Sequence, residues 1–104
     1  MDMATYEQVG NTLVISGHLD WPLDVEFDLH TKAFIEEVKK AQWEDVRIDV
    51  SGVDYMGSQY LGALAAIASV IASLGGKLTI KASGTVAQTI HNVGLHRIMD
   101  LEVI

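Results

Sequence analysis

One hydroxyl in this chain stands where it could carry chemistry: Ser58, in the stretch "DYMGSQYLG" that runs from residue 54 to 62. The stretch follows "DVRIDVSGV", a run with strand character, and precedes "ALAAIASVIASL", a run with helix character. A serine at such a junction has two uses. As a helix N-cap its oxygen accepts from a free backbone N–H of the first turn. As a phosphoacceptor it places a phosphoryl group at the positive end of the helix dipole, and adds nearly two negative charges to a surface. The residues alone leave both open.

The other chemistry-bearing residues form no catalytic frame. His18, His30, His91 and His96 lack zinc-ligand spacing, with no HExxH pair and no cysteine beside them. Asp20, Asp24 and Asp54 are possible paired acids, but nothing in the sequence sets a substrate between them. Ser58 lies outside a G-x-S-x-G frame, and "SGTVAQ" and "GSQYLG" lack the lysine and spacing of a P-loop. A non-enzymatic protein is expected, with neither metal nor cofactor.

The 104 residues suit one domain, and an apolar share of 49% with a positive mean hydropathy suffices for a core. The absence of cysteine excludes disulfides and thiol chemistry. A net charge of −7 argues against binding a phosphate backbone. Asp20, Asp24, Glu26 and Asp28 concentrate negative charge in one segment, as a solvated surface or an attraction for a basic partner or a cation. The first ten residues have neither the basic nor the apolar region of a signal peptide, so a cytoplasmic location is expected. Residues 55–76 carry no formal charge over 22 positions, but glycines and serines interrupt them, and they read as a buried helix rather than a membrane insertion.

The positioning elements read as follows. "ATYEQVG" and "TLVISG" form a hairpin around Gly10-Asn11. "HLDWPLDVEF", with the only proline, reads as a loop, and Asp28 or Thr31 caps the next helix. "LHTKAFIEEVKKA" has helical spacing at Leu29, Ala33, Phe34, Val38 and Ala41, with Glu36 and Lys40 as a favourable pair. Val46, Ile48 and Val50 alternate in a strand. Gly75-Gly76 ends the long helix, "KLTIKA" is a strand, "TVAQTIHNVGL" a short helix from Ser83 or Thr85 to Gly94, and "IMDLEVI" an edge strand. The order β-β-α-β-α-β-α-β predicts an α/β fold, a mixed sheet with helices packed on it.

The long helix shows three stripes on the 3.6-residue period. Leu61, Leu64, Ala65, Ala68, Ile71 and Ala72 are the expected sheet side. Tyr60, Ala63, Ile67, Val70 and Leu74 make a second apolar stripe, which either packs on a neighbouring helix or receives a partner. Gln59, Gly62, Ala66, Ser69 and Ser73 make a small, weakly polar third.

"VRIDVSGVDYMGSQYLGAL", "GGKLTIKA" and "VGLHRIMDL" together resemble the STAS domain of bacterial anti-sigma-factor antagonists, across nearly the whole chain. The resemblance implies a STAS-like single domain over residues 1–104. It implies phosphorylation of Ser58, which follows Met56 as the phosphoacceptor does in that family. "SGHLDWP" is similar to the family's "G-x-L-D" loop, with Asp20 as the residue that helps receive a kinase. The implied partners are an anti-sigma serine kinase of the GHKL type and a PP2C-type phosphatase, acting in transcription regulation by partner switching. Asp20, Gly57, Gln59, Tyr60, Ala63, Ile67 and Val70 are the expected partner-binding residues, and a homodimer is possible. Three positions depart from the family pattern: Gly57 stands for its Asp, Gln59 for its second Ser, and Tyr60 for a Gly. The segment after Asp20, "WPLDVEF", is expanded. These departures motivate an alternative, a STAS interaction module without phosphorylation, for example a cytoplasmic subunit of a lipid-transport ABC complex. A small-molecule sensor is a third reading, without a motif of its own.

Overall fold

Alternating apolar residues in the strands give the sheet one buried and one polar face. In the computed structural model, which describes residues 4–20 and 24–104, β1 (Thr5–Val9) and β2 (Thr12–Leu19) form the expected antiparallel hairpin. Helix α1 (Val25–Ala41) leads to β3 (Asp45–Met56), α2 (Ser58–Ser73) to β4 (Lys77–Ala82), and α3 (Gly84–Asn92) with a short 3-10 turn to β5 (Asp100–Val103). The strands lie in sequence order, and every pair after the hairpin is parallel. Right-handed crossovers between successive parallel neighbours carry all three helices to one side. Val46, Ile48, Val50, Leu78 and Ile80 point into the single core there, while Arg47, Asp49, Thr79 and Lys81 stay on the other face. On that open face Arg47 reaches Glu102 at 2.7 Å and Lys77 reaches Asp100 at 2.9 Å. The family-like mixed α/β architecture read from the sequence is the one observed.

Strand β3 departs from simple alternation. Its pairing with β2 shifts register twice, between Val14 and Ser16 and between Gly17 and His18. Each shift adds a residue on the β3 side, which is the signature of a bulge. The inward positions therefore move from Val46, Ile48 and Val50 to Val53 and then Met56, all buried. Asp49 fixes the first irregularity: its Oδ1 accepts from the Ser51 N–H at 2.9 Å and the Ser51 hydroxyl at 2.6 Å. Burial raises the pKa of the Asp49 carboxyl, but these two bonds, with Lys81 and Arg47 nearby, outweigh it and leave the group below the usual carboxylate range.

Several local expectations are corrected. The segment read as a loop contributes His18 and Leu19 to β2 and Val25 to Phe27 to α1, while residues 21–23 lie outside the described residues. The cap of α1 is Asp24, whose Oδ1 accepts from the Glu26 N–H at 3.0 Å; Asp28 and Thr31 are interior. Thr31 is buried, its hydroxyl donating to the Phe27 carbonyl at 2.8 Å. The buried stripe of α1 is Phe27, Thr31, Phe34 and Val38, whereas Leu29 is 57% exposed. Glu36 pairs with Lys39 at 3.3 Å in place of the expected Lys40. Helix α2 ends as its glycines predict: Gly76 N–H donates to the Ile71 carbonyl at 2.9 Å and Gly75 N–H to that of Ala72 at 3.0 Å, with Gly75 left-handed at φ 84°.

The first bulge brings two backbones close, and a Cβ on Gly52 would sit 2.5 Å from the Ser16 Oγ. Gly52→Ala is expected to destabilise the protein by about 1–3 kcal/mol through this overlap. Adding Ser16→Gly should recover part of the loss. Urea denaturation of the two single variants and the pair checks this, the expected result being clear non-additivity.

Candidate functional site

Because β2 and β3 are parallel neighbours, their C-terminal ends finish side by side, and α2 springs from the second. Leu19 pairs with Met56, and one step further Gly57 N–H donates to the Leu19 carbonyl at 2.7 Å. This bond sets Asp20 beside the turn. Asp20, Tyr55, Gly57, Ser58, Gln59 and Tyr60 line a shallow depression of about 160 Å³.

The N-cap of α2 is Gly57, in extended conformation at φ −72° and ψ 161°, with no side-chain cap bond. Ser58 is the first helical residue. Its side chain is exposed, and among the described residues its hydroxyl makes no hydrogen bond. The expectation that Ser58 caps the helix is thus corrected: a cap needs extended backbone one position before the first turn, and Gly57 holds that place. The Gly57 carbonyl receives the Tyr60 N–H at 3.0 Å and the Leu61 N–H at 3.3 Å. The N–H groups of Ser58 and Gln59, at the helix start, precede the first intrahelical donor and stand beside the free hydroxyl.

A histidine organises the acids next to this turn. His18 Nδ1 lies 3.0 Å from Asp54 Oδ1, and its Nε2 lies 3.7 Å from Asp20 Oδ2. The ring stacks on Tyr55, with centroids 5.0 Å apart and planes 19° apart. The remaining acids of the early segment are engaged within the fold. Glu26 faces His30 at 3.4 Å, Asp28 pairs with Lys32 at 2.9 Å, and Asp24 caps α1. The acidic run is therefore not one uniform patch. Among the described residues, no group of three or more histidine, aspartate or glutamate side chains is placed to hold a metal ion. No helix among them is long and apolar enough to cross a membrane.

The second stripe of α2 divides. Tyr60 is 1% exposed and Ile67 is buried, Ala63 is half-buried, and Val70 is exposed at 37% with Leu74 at 45%. Tyr60 lies edge-on to Phe27 of α1, centroids 5.0 Å apart and planes 90° apart. Its hydroxyl accepts from the Asp24 N–H at 2.7 Å, and Asp24 Oδ2 accepts from the Tyr6 hydroxyl at 2.8 Å. Burial raises the pKa of both tyrosines; for Tyr6 the bond to Asp24 adds to the rise, and for Tyr60 the Asp24 N–H opposes it. Sequence reasoning found Asp20 and the Ser58 turn but missed His18, Tyr55 and Asp24. The alternation of apolar and polar residues around His18 was the available signal, since it extends β2 through Leu19.

Comparison with known proteins agrees with this arrangement: the STAS domain family matches residues 4–103. The chain belongs to the STAS domain family. This STAS domain is similar in structure to an anti-sigma factor antagonist from Mycobacterium paratuberculosis, at TM-score 0.69 and 26% identity, covering 98% of this chain and 86% of that one. It shares its fold with the protein TM1081, solved by NMR, at TM-score 0.67 and 21% identity, covering 97% and 81% of the two chains. No curated protein matches the sequence.

The missing cap side chain can be supplied. A Cβ at Gly57 would meet only ordinary contacts, 3.5 Å from the Leu19 carbonyl oxygen and 3.9 Å from Asp20 Oδ1. Gly57→Ser is expected to stabilise the domain by a few tenths of a kcal/mol. Gly57→Asp should gain less, because its carboxylate meets that of Asp20. Urea midpoints at low and high salt check this: the gap between the two variants should narrow as salt screens the repulsion.

Proposed function

We propose that this STAS domain is an anti-sigma-factor antagonist. It binds an anti-sigma serine kinase of the GHKL type through Asp20, the Gly57–Gln59 turn and the exposed side of α2, and is switched by phosphorylation at Ser58. The observation that carries the reading is the uncommitted hydroxyl of Ser58, exposed at the first position of α2 in the same depression as Asp20. A helix start with free N–H groups tolerates a phosphoryl group without unfolding. The added charge stands close to Asp20 and would alter the surface a partner meets. In this scheme the protein is itself no enzyme: the kinase supplies ATP and catalysis, and a PP2C-type phosphatase restores the hydroxyl. Tyr60 and Ile67, being buried, shape the docking surface from beneath, while Gln59 and Val70 touch the partner and Ala63 lies at its margin. The similarity to the Mycobacterium paratuberculosis antagonist supports the same role in bacterial transcription regulation.

The test is incubation with the cognate anti-sigma kinase and ATP, followed by peptide mass spectrometry. One phosphate on the peptide containing Ser58, absent from Ser58→Ala, is the expected result. A kinase that binds the domain yet leaves Ser58 unmodified contradicts the switch.

A second reading has one observation of its own. Half-buried Gly57 and exposed Gln59, the neighbours of Ser58, are uncharged, so the turn itself offers a kinase no acidic group. A constitutive interaction module, such as a cytoplasmic subunit of a lipid-transport ABC complex, needs none. There, Ser58→Ala should bind the partner normally and Val70→Glu should not. Val70 is the clean probe, since a glutamate at buried Ile67 would disturb the core.

A further inference from the structure

Two backbone segments meet at the Ser58 turn, and they are tied to each other on both sides of it. On one side Gly57 N–H donates to the Leu19 carbonyl at 2.7 Å. On the other, Asp24 N–H donates to the Tyr60 hydroxyl at 2.7 Å. The first tie lies just before Asp20 on one segment and just before Ser58 on the other. The second lies beyond both. Asp20 and Ser58 are therefore held opposite each other between two hydrogen-bonded points. The first is an extension of the β2–β3 ladder and belongs to the sheet. The second depends on one side chain.

That side chain is well fixed. Tyr60 is 1% exposed and lies edge-on to Phe27, so its ring is held by the core while its hydroxyl reaches the first residue ahead of α1. Asp24 is secured independently: its Oδ1 caps α1 at the Glu26 N–H and its Oδ2 accepts from the Tyr6 hydroxyl on β1. Strand β1, helix α1 and the first turn of α2 thus converge on Asp24. The first turn of α2 has no side-chain cap of its own, since Gly57 holds the cap position. A helix start without such a cap opens more readily, and a tertiary tie at its third residue compensates.

We infer that Tyr60 is a positioning residue: its hydroxyl, bonded to the Asp24 N–H, locks Asp20 and Ser58 into the one arrangement that a partner kinase can engage. The inference rests on the reading of Ser58 as phosphoacceptor, and its structural half can be tested without the kinase. Tyr60 touches neither the phosphoryl donor nor the acceptor oxygen in this account. It acts through the turn.

The experiment compares the full chain with Tyr60→Phe, which keeps the ring against Phe27 and removes only the hydroxyl, and with Tyr6→Phe, which removes a bond to Asp24 but neither tie. Amide hydrogen exchange is read at Gly57 and Leu61, with Ile80 of the central sheet as reference. Tyr60→Phe should speed exchange at Gly57 and Leu61 by about tenfold relative to Ile80, the effect of losing the tie to the part-buried Asp24 N–H. Tyr6→Phe should leave that ratio unchanged. In phosphorylation by the kinase, Tyr60→Phe should raise KM severalfold and leave kcat nearly intact, because only the locked fraction docks. Equal acceleration at Gly57, Leu61 and Ile80, or none, overturns the inference, as does a fall in kcat at unchanged KM. If the kinase modifies neither wild type nor variant, the phosphoacceptor reading fails, while the exchange ratio still decides the role of Tyr60 in the turn.

Discussion

The hydrogen bond from Gly57 N–H to the Leu19 carbonyl, 2.7 Å long, closes the C-terminal ends of β2 and β3 against each other, and the Ser58 surface is built outward from it. It exists because the two strands are parallel neighbours whose lengths, corrected by two bulges in β3, finish level. Were either of the two bulges missing, Met56 would face the polar side of the sheet and α2 would start on the wrong face. With them, Met56 enters the core, Gly57 turns the chain, and the helix begins with a serine on its exposed shoulder. A one-residue error in a strand reverses every side chain beyond it, so this register is held as strongly as the core itself.

From that fixed point the electrostatics follow locally rather than globally. The net charge of −7 suggests a broad acidic surface, yet most of the early acids are engaged with partners in the fold. Asp24 is an internal structural group, Asp28 answers Lys32, and Glu26 faces His30. These exposed pairs add little to stability individually. Their effect is to leave Asp20 and Asp54, joined through His18, as the acidic feature next to Ser58. A phosphoryl group there, as the proposed switch requires, would meet carboxylates already in place.

Much of the architecture was legible in the sequence because it is written in local patterns. The Gly10-Asn11 hairpin, the alternation of Val46, Ile48 and Val50, and the Gly75-Gly76 stop each depend on neighbours a few residues away. The order of elements followed from them, and the family from the resemblance of longer stretches such as "VRIDVSGVDYMGSQYLGAL" to STAS domains. What was not legible depends on partners remote in the chain. Nothing near Asp24 announces that it, rather than Asp28 or Thr31, caps α1, since the choice is settled with Tyr6 and Tyr60. Nothing near Ser58 shows that Gly57 takes the cap, because β3 runs on through Met56 only by virtue of its pairing with β2. The two apolar stripes of α2 were visible, but the point where α1 stops covering the second, between Ile67 and Val70, is a matter of helix placement. Tyr60, a departure from the family's pattern beside Ser58, proves to be an interior residue tied to Asp24.

The central claim is that a charge on Ser58 changes what this surface binds. Its most direct test is calorimetric titration of the anti-sigma kinase with the unmodified domain and with the domain carrying phosphate at Ser58 alone. The account predicts that phosphorylation weakens binding at least tenfold, about 1.4 kcal/mol, with the fold intact by its NMR spectrum. Equal affinities for the two forms would contradict it.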